Sequence, residues 1–352
     1  MTKAAEIPPD LYGRPRRDRF WVAVNAAFNG VERVRRLRTL RLPGLPEPVD
    51  RTLRLVVTEV RPVADDVVSL RLAAPDGRLL PGWQPGCHLD VLLPSGRRRQ
   101  YSLCGDPADR RSYRIAVRRL PDGAGGSVEV HQALVEGAFV GVQGPRNAFP
   151  FLTRETYLFI AGGIGITPIL PMVTAAHRLG ADWHLIYTGR TRASLPFLDE
   201  LPPGRITVRT DDEHGVPDCA ELLDGAAPGA AVYCCGPAPM IDGVRAAFRP
   251  GGPSTLHFER FAPAPIVGGR PFEVELARSG RVLQVPADRS ALDVIRDELP
   301  TVAYSCRQGF CGTCRVAVTA GDVDRRAPSD PEAGSMLPCV SRATGGRVTL
   351  DL

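Results

Sequence analysis

The strongest constraint in this 352-residue chain is a pattern of cysteines near its C-terminus. Cys306, Cys311 and Cys314 follow the spacing C-x4-C-x2-C, and Cys339 supplies a fourth thiol on a separate segment. This is the plant-type ligand pattern of a [2Fe–2S] cluster, in which one tight loop and one distant cysteine hold the two irons. Zinc is the alternative, but zinc sites usually pair two short CxxC-type units, and only one short pair is present. The pattern therefore predicts an electron-transfer protein with these four cysteines as metal ligands.

Length and composition limit what the rest of the chain can be. At 352 residues it is long enough for two or three domains, each with its own hydrophobic core. No apolar run approaches the length of a membrane span, and the apolar and charged fractions are those of a soluble protein. The nine cysteines fit a reducing compartment, with four bound to iron and the others free, so we expect a cytoplasmic protein.

A basic N-terminal extension, residues 1–49, precedes the domains. It holds ten Lys or Arg against five Asp or Glu, which accounts for the whole net charge of +5. Three roles fit such a segment: docking to an acidic partner, contact with an anionic membrane surface, or packing against the next domain with a solvated basic face. We expect packing, then docking, with membrane contact third. No nucleic-acid binding is expected, because the basic residues come with no recognisable base-reading motif.

Residues 50–150 predict an antiparallel β-barrel that binds a flavin. Short strands alternate with Pro-Gly, Ser-Gly and Asp-Gly turns at the even spacing of a small barrel. Within it, Arg99, Tyr101 and Ser102 offer a cation for a phosphate, an aromatic ring and a hydroxyl. The sequence Gly126-Ser127 lies in a turn whose N–H groups can point at a phosphate. Taken alone, an ordinary edge strand followed by a polar turn would explain the same residues.

Residues 151–261 predict an α/β domain for a nicotinamide nucleotide. A buried strand leads into Gly162-Gly163-Ile164-Gly165-Ile166-Thr167-Pro168, where Thr167 is the predicted N-cap of a helix. A strand, a glycine turn and a helix N-terminus form the geometry that binds a dinucleotide pyrophosphate. A later strand runs into Cys235-Gly236-Pro237. The full G-x-G-x-x-G fingerprint is absent, however, and glycine turns are often structural only.

The C-terminal part predicts a linker and a small α+β domain. Residues 262–271 are rich in Pro and Gly and are expected to connect two domains. In residues 272–352, a strand hairpin and a helix capped by Ser290 precede the cysteine loop, and further strands follow it.

The order of these motifs is more specific than any one of them. The R-x-Y-S sequence, the glycine turn, Cys235-Gly236-Pro237, Glu259-Arg260-Phe261 and the cluster motif follow one another along the chain. In this order the chain resembles the phthalate dioxygenase reductase family, which includes the reductase subunits of vanillate demethylase. The resemblance covers about residue 50 to the C-terminus. It implies a ferredoxin-reductase-like core, with a flavin-binding barrel and an α/β nicotinamide-nucleotide domain, fused to a C-terminal β-grasp ferredoxin.

The resemblance also implies roles for individual residues. Ser102, Cys235 and Phe261 would lie at the reacting rings, with Phe261 covering the flavin and Cys235 beside the nicotinamide. The expected cofactor contacts of the flavin and of the nucleotide are Arg99, Tyr101, Ser102, Gly126, Ser127, Gly163, Gly165, Thr167, Arg190, Cys235 and Gly236.

Two departures from the family pattern bear on the cofactors. Relatives often carry an arginine just before the Gly-Gly-Ser turn, where this chain has Ala124 and Gly125. The resemblance implies FMN; without that arginine the FMN phosphate would be held less tightly, so we expect FMN and keep FAD as an alternative. Arg190 and Arg192 lie where a 2′-phosphate of NADPH could bind, although Arg190 matches an arginine common in this NADH-using family. We expect NADH and keep NADPH as an alternative.

The implied function is that of an oxygenase reductase, and we expect it to be a monomer. Electrons would pass from NADH through FMN and the cluster to a terminal oxygenase, either a Rieske-type aromatic oxygenase or demethylase or a haem-thiolate monooxygenase. A cluster-state redox sensor and a reductase for a membrane desaturase are the alternatives. A complete oxygenase is not expected, because the six histidines show no pairing with cysteine of the kind that a Rieske centre requires.

Overall fold

The computed structural model describes residues 51–123, 125–249, 255–261, 266–304, 307–309, 312–327 and 334–352. Its contacts divide the chain into Met1–Asp50 and Arg51–Leu352. The N-terminal extension, part of the predicted linker, Ala124 and the predicted ligands Cys306 and Cys311 lie outside the described residues.

The first part of the described chain forms a six-stranded antiparallel barrel. Its strand order is β4-β3-β6-β1-β2-β5, and a bridge between Leu103, directly after β4, and Ile115 in β5 joins the two edges. Alternate residues such as Leu89 and Val91 are fully buried in its core, as period-2 side-chain alternation requires. The elements are β1 (Leu53–Ala64), β2 (Val67–Ala73), β3 (Cys87–Leu92), β4 (Arg98–Ser102), β5 (Ser112–Arg118), helix α1 (Gly126–Ala133) and β6 (Phe139–Asn147).

A five-stranded parallel sheet follows, in the order β11-β10-β7-β8-β9. The chain builds outward from β7 to β9 and then returns to the other side of β7 with β10. Parallel sheets bind ligands at the carboxyl ends of the strands where the order reverses, here between β7 and β10. The elements are β7 (Thr156–Gly162), α2 (Ile166–Arg178), β8 (Asp182–Gly189), β9 (Arg205–Thr210), α3 (Asp211–His214), β10 (Ala231–Cys235), α4 (Ala238–Ala247) and β11 (Thr255–Glu259), with short 3-10 turns at Gly163–Gly165, Arg192–Ser194, Leu198–Glu200 and Glu221–Leu223.

The start of α2 corrects one expectation. The helix begins at Ile166 after Gly165, so Thr167 is a buried helical residue and not the N-cap. Its hydroxyl donates a hydrogen bond to the Ile164 carbonyl at 3.0 Å, within the preceding 3-10 turn. That turn continues directly into the helix and leaves no extended residue to act as a side-chain cap.

The C-terminal part forms a mixed five-stranded sheet in the order β13-β12-β18-β14-β16, with one helix and a two-stranded β15-β17 pair. Ser290 caps the helix as expected, because its Oγ accepts a hydrogen bond from the Asp293 amide at 3.1 Å. The elements are β12 (Phe272–Leu276), β13 (Arg281–Val285), α5 (Ala291–Glu298), β14 (Val316–Ala320), β15 (Val323–Asp324), β16 (Ser335–Met336), β17 (Arg342–Ala343) and β18 (Arg347–Leu350). Across the described ranges, none of the helices has the length and apolar content needed to cross a bilayer.

Candidate functional site

Two glycine turns meet at the carboxyl ends of β7 and β10. A Cβ added at Gly165 would lie 2.8 Å from the Gly236 Cα, and one added at Gly236 would lie 2.9 Å from the Gly162 Cα. The two turns therefore pack backbone against backbone, which only glycine permits. The predicted residues Gly163, Gly165, Thr167, Cys235 and Gly236 come together here. A glycine turn followed by a helix N-terminus suits a pyrophosphate, so the residues fit a nicotinamide nucleotide.

Cys235 is fully buried at the end of β10. Burial, followed by the nearby Glu259 carboxyl and Cys234, raises the pKa of its thiol well above the usual range. The sulfur is therefore a protonated thiol at neutral pH, and it fits a packing role beside a ring better than a nucleophilic role.

Glu259 is a functional candidate to which the sequence assigned no role. It ends β11 directly opposite Cys235 in the parallel register, and it is only 8% exposed. The Ser102 hydroxyl donates a hydrogen bond to Glu259 Oε2 at 3.3 Å. Burial raises the pKa of the Glu259 carboxyl to about 8, against a lowering by the Ser102 hydrogen bond. A signal was available, since an acidic residue at the end of a buried strand requires a partner.

A small pocket joins three parts of the chain around Ser102. Phe261, at its edge, is 48% exposed and so has a ring available to cover a ligand. In the ligand loop, the Gln308 side chain donates a hydrogen bond from Nε2 to the Arg260 carbonyl at 2.7 Å. The predicted residues Ser102 and Phe261 are therefore brought together, next to the loop that carries the cysteines. The pocket is lined by His88, Gln100, Ser102, Ala148, Glu259, Arg260, Phe261 and Gln308.

The predicted phosphate site lies at the start of α1. The sequence predicted only a turn here, but a helix begins at Gly126. Gly125, just before it, lies in the left-handed region with φ 77°. A Cβ on Gly126 would lie 2.9 Å from Arg99 Cγ, so glycine is what allows the arginine side chain to lie across the helix start. Ser127 Oγ accepts a hydrogen bond from the Leu120 amide at 3.0 Å.

Arg97 is a second cation at this helix start. Its Cζ is 3.9 Å from where a Cβ on Gly125 would be, and its Nη1 contacts Glu129 Oε2 at 3.2 Å. Two guanidinium groups and the N-terminus of an eight-residue helix fit a phosphate. Arg97 thus brings a second cation to the start of this helix from another part of the chain.

Tyr101 lies in β4, directly opposite Leu89, and its ring packs against the barrel core. Burial raises the pKa of its phenol to about 12, so the hydroxyl is a neutral donor at any physiological pH. The side chain fits the predicted role of a neutral aromatic contact.

Two arginines lie at the carboxyl end of the parallel sheet. Arg190 is exposed after β8, and its carbonyl accepts a hydrogen bond from the Asp212 amide at 3.1 Å. Arg118, which the sequence did not single out, donates from Nη2 to the Ser194 carbonyl at 2.7 Å. Its Nη1 lies 3.3 Å from the position of a Cβ on Gly163. Burial, and then the neighbouring Arg190, lower the pKa of the Arg118 guanidinium. Arg118 therefore brings a second positive charge to the glycine turn.

Two of the four predicted metal ligands fall within the described ranges. Cys314 and Cys339 are both buried and belong to one apolar group with Leu292, Tyr304 and Leu337. Two cysteines from separate segments in one dry environment fit the ligand set of an iron–sulfur cluster.

Comparisons with known proteins agree with this arrangement. Residues 274–344 match the family described as 2Fe-2S iron-sulfur cluster binding domain. The chain is 38% identical over 317 residues to the phthalate dioxygenase reductase of Burkholderia cepacia, covering 86% of this chain and 98% of that protein. It is 41% identical over 301 residues to the phenoxybenzoate dioxygenase subunit beta of Ectopseudomonas oleovorans, covering 82% and 94%.

Solved structures show the same fold. A phthalate dioxygenase reductase matches with a TM-score of 0.66 and 36% identity, over 86% of this chain and 98% of that chain. Full-length CYP116B46 from Tepidiphilus thermophilus matches with a TM-score of 0.68 and 39% identity, over 89% of this chain. The match spans only 44% of that longer protein.

Fold, site and comparisons define an NAD(P)H-dependent iron–sulfur flavoprotein oxidoreductase of the kind that serves multicomponent oxygenases. The chain belongs to the phthalate dioxygenase reductase family. The family and the fold class predicted from the motif order are therefore confirmed.

Proposed function

We propose that this chain carries electrons from NADH, through FMN and a [2Fe–2S] cluster, to a separate terminal oxygenase. When bound, the flavin accepts a two-electron hydride and releases electrons one at a time. The observation that supports this order is the pocket at Ser102, because one of its walls is Gln308, two residues beyond Cys306 in the ligand loop.

In this proposal the reacting rings lie against three side chains of the pocket, those of Ser102, Glu259 and Phe261. The Glu259 carboxyl holds a proton at neutral pH, since its pKa is about 8, so the pocket gains no buried negative charge there. Ser102 fixes the orientation of that carboxyl through its hydrogen bond. The exposed ring of Phe261 excludes water from one face until a nicotinamide displaces it.

A substitution in the ligand loop tests the order of carriers. Cys311→Ser removes one predicted ligand, and we expect it to abolish cytochrome c reduction, because that acceptor takes single electrons from the cluster. NADH-dependent bleaching of the flavin should continue at the wild-type rate, since the nucleotide crevice and the barrel are untouched. Cytochrome c reduction retained by this variant would contradict the proposed route.

We infer that the flavin is FMN and that Arg97 and Arg99 bind its terminal phosphate. A phosphate monoester is a compact dianion, which suits two guanidinium groups at a helix N-terminus. Chromatography of the flavin released by heat identifies it directly as FMN or FAD. Arg99→Gln should weaken flavin binding roughly tenfold or more, as expected for the loss of a charge-assisted contact of about 1.5–3 kcal/mol.

We infer NADH as the donor. The backbone of Arg190 is hydrogen-bonded to α3, whose sequence Asp211–His214 begins with three acidic residues. These carboxylates repel the negatively charged 2′-phosphate that distinguishes NADPH from NADH. Arg190 can contact the adenosine part of either nucleotide. Measured kcat/KM values for the two donors test this inference, and a preference for NADPH would contradict it. Replacing Asp211 and Asp212 with Asn should lower the ratio of kcat/KM for NADH to kcat/KM for NADPH.

For the partner, we propose a Rieske-type aromatic oxygenase. The Burkholderia and Ectopseudomonas relatives carry dioxygenase names and match this chain over nearly their whole lengths. A haem-thiolate monooxygenase is the second candidate, because CYP116B46 contains a region that is 39% identical to this chain. Reduction of each purified oxygenase class under NADH distinguishes the two. Negligible turnover with NADH or NADPH would instead favour a cluster-state sensor.

We also propose a monomeric protein in the cytoplasm. Cys87, Cys104, Cys219, Cys234 and Cys235 are free thiols, which fits a reducing compartment. Sedimentation analysis of the full chain tests the oligomeric state, and co-sedimentation with anionic vesicles tests membrane contact by residues 1–49.

A further inference from the structure

A buried polar cluster joins the barrel to the segment that leads into the cysteine loop. We call it the Asp90–Tyr304 cluster. The Tyr304 hydroxyl donates a hydrogen bond to Asp90 Oδ2 at 2.6 Å, across 214 positions of sequence. Both residues are buried, at 1% exposed for Asp90 and 4% for Tyr304. A buried carboxylate is stable only where it is paired and hydrogen-bonded, so this contact constrains both partners.

Arginines complete the cluster from both sides. Arg146, from β6 of the barrel, forms an ion pair with Asp90 and also lies 5.1 Å from the centre of the Tyr304 ring. Arg296, from α5, donates to the Tyr304 hydroxyl at 2.9 Å and lies over the same ring at 3.6 Å. Tyr304 is thus held by an aromatic–cation contact on its ring and by hydrogen bonds at its hydroxyl.

The cluster is continuous with the pocket at Ser102. His88 and Asp90 are two residues apart in β3 and therefore point to the same face of the sheet. Their partners across β4 are Ser102 and Gln100, which share that face. The β3–β4 pair thus contributes Ser102 to the pocket and, two residues beyond His88 in β3, Asp90 to the contact with Tyr304.

Tyr304 and Gln308 lie on either side of the first predicted ligand. Tyr304 precedes Cys306 by two residues, and Gln308 follows it by two. Tyr304 is bound to the barrel through Asp90, and Gln308 is bound to the Arg260 carbonyl beside the pocket. One described end of this short stretch is therefore attached to the flavin-binding barrel, and the other is attached to the end of the α/β domain beside the Ser102 pocket.

We propose that Asp90 and Tyr304 are positioning residues for electron transfer, fixing the cysteine loop at a constant distance from the Ser102 pocket. The proposal rests on the proposed order of carriers. NADH would supply two electrons as hydride, and each transfer would move one electron from the reduced flavin to an oxidised cluster. The terminal oxygenase would reoxidise the cluster after each transfer, so two transfers would complete one turnover. The rate of such a transfer falls steeply with distance, so a loop released from the barrel would slow this step without affecting the hydride transfer before it.

Tyr304→Phe and Asp90→Asn are the variants that test the proposal. Tyr304→Phe deletes only the hydroxyl and keeps the ring beside the two arginines. Anaerobic stopped-flow with NADH then measures flavin bleaching and cluster reduction in the same trace. We expect wild-type flavin bleaching and cluster reduction slowed roughly tenfold or more, in line with the effect of small misplacements on reacting centres. Arg278→Gln is the matched control, since it breaks an exposed ion pair with Asp351 in the same C-terminal domain.

A double variant separates positioning from general damage. If the two residues act through their mutual hydrogen bond, Tyr304→Phe with Asp90→Asn should be no slower in cluster reduction than the slower single variant. Iron content and the cluster's reduction potential, measured in each variant, should match the wild type. Additive slowing, or unchanged cluster reduction in both single variants, would overturn the proposal.

The remaining outcomes are also informative. If Tyr304→Phe loses its cluster, Asp90→Asn gives the answer from the barrel side, since it leaves the cysteine loop unaltered. If wild-type flavin does not bleach with NADH, the proposed order of carriers fails, and this result differs from failure of the positioning proposal.

Discussion

At the scale of single residues, Glu259 links the fold to the chemistry most directly. The Glu259 carboxyl is buried beside Cys235 and accepts a hydrogen bond from the Ser102 hydroxyl. Burial raises its pKa to about 8. A buried acid that holds its proton at neutral pH creates a polar but uncharged wall. That wall lies in the pocket where Ser102 and Phe261 meet.

The raised pKa of Glu259 makes stability depend on pH. The folded protein keeps the proton up to about pH 8, whereas the unfolded chain releases it near the ordinary pKa of 4.5. Folding stability contributed by this group is therefore fully present below about pH 4.5 and is lost as pH rises towards 8. One pKa unit corresponds to about 1.4 kcal/mol, and the pKa rises from 4.5 to about 8, so the loss is on the order of 5 kcal/mol at most.

Glu259→Gln should remove the part of the pH dependence of folding stability that arises from this carboxyl. We expect the variant's free energy of unfolding, measured by urea titration, to change less between pH 5 and pH 8 than that of the wild type. The amide cannot lose a proton and so has no titration to couple to folding. Parallel profiles for the two proteins would show that Glu259 is already ionised in the folded state.

At the scale of elements, the packing of the two glycine turns fixes the crevice between β7 and β10. A side chain at Gly165 would collide with the backbone of Cys235 and Gly236, which cannot move without shifting β10. Backbone atoms, unlike the end of a long side chain, give way only when a strand is displaced.

Gly165→Ala therefore tests the crevice as an element. We expect a loss of about 1–3 kcal/mol in unfolding free energy, the usual range for overpacking, together with a raised KM for NADH. Gly82→Ala is the matched control, because nothing lies within 4 Å of its added Cβ and its φ is not positive. The control should be nearly neutral in both measurements. A Gly165→Ala variant with wild-type stability and KM would show that the turns have room to separate.

Local sequence patterns predicted some elements and missed others for physical reasons. Ser290 marked its helix correctly, because an N-cap acts through a residue only three positions away. Helix α1 was missed, since Gly126–Ala133 is short and has no side-chain cap, and Arg99 packs against its first residue from another strand. Thr167 was misplaced by two positions because the glycine turn already forms a 3-10 helix.

At the scale of the whole molecule, the order of motifs predicted the family and the fold class, while the contacts between distant segments remained invisible. The cysteine spacing predicts a cluster because three of the four predicted ligands are close together in the sequence. By contrast, the Asp90–Tyr304 hydrogen bond and the placement of Arg97 beside Gly125 depend on separate parts of the chain meeting in space. Neither hydrophobic periodicity nor motif spacing predicts contacts between distant segments, so the roles of these residues became apparent only in the structure.

The proposed path of electrons runs within one molecule from a nicotinamide to a cluster through the pocket at Ser102. Its most direct test is an anaerobic titration of the purified chain with NADH, followed by visible absorption and EPR, with NADPH in parallel. We expect the flavin absorption to bleach and the EPR signal of a reduced [2Fe–2S] cluster to grow in with it. Flavin bleaching without a cluster signal would contradict the proposed transfer, and no response of either centre to either donor would contradict the reductase function itself.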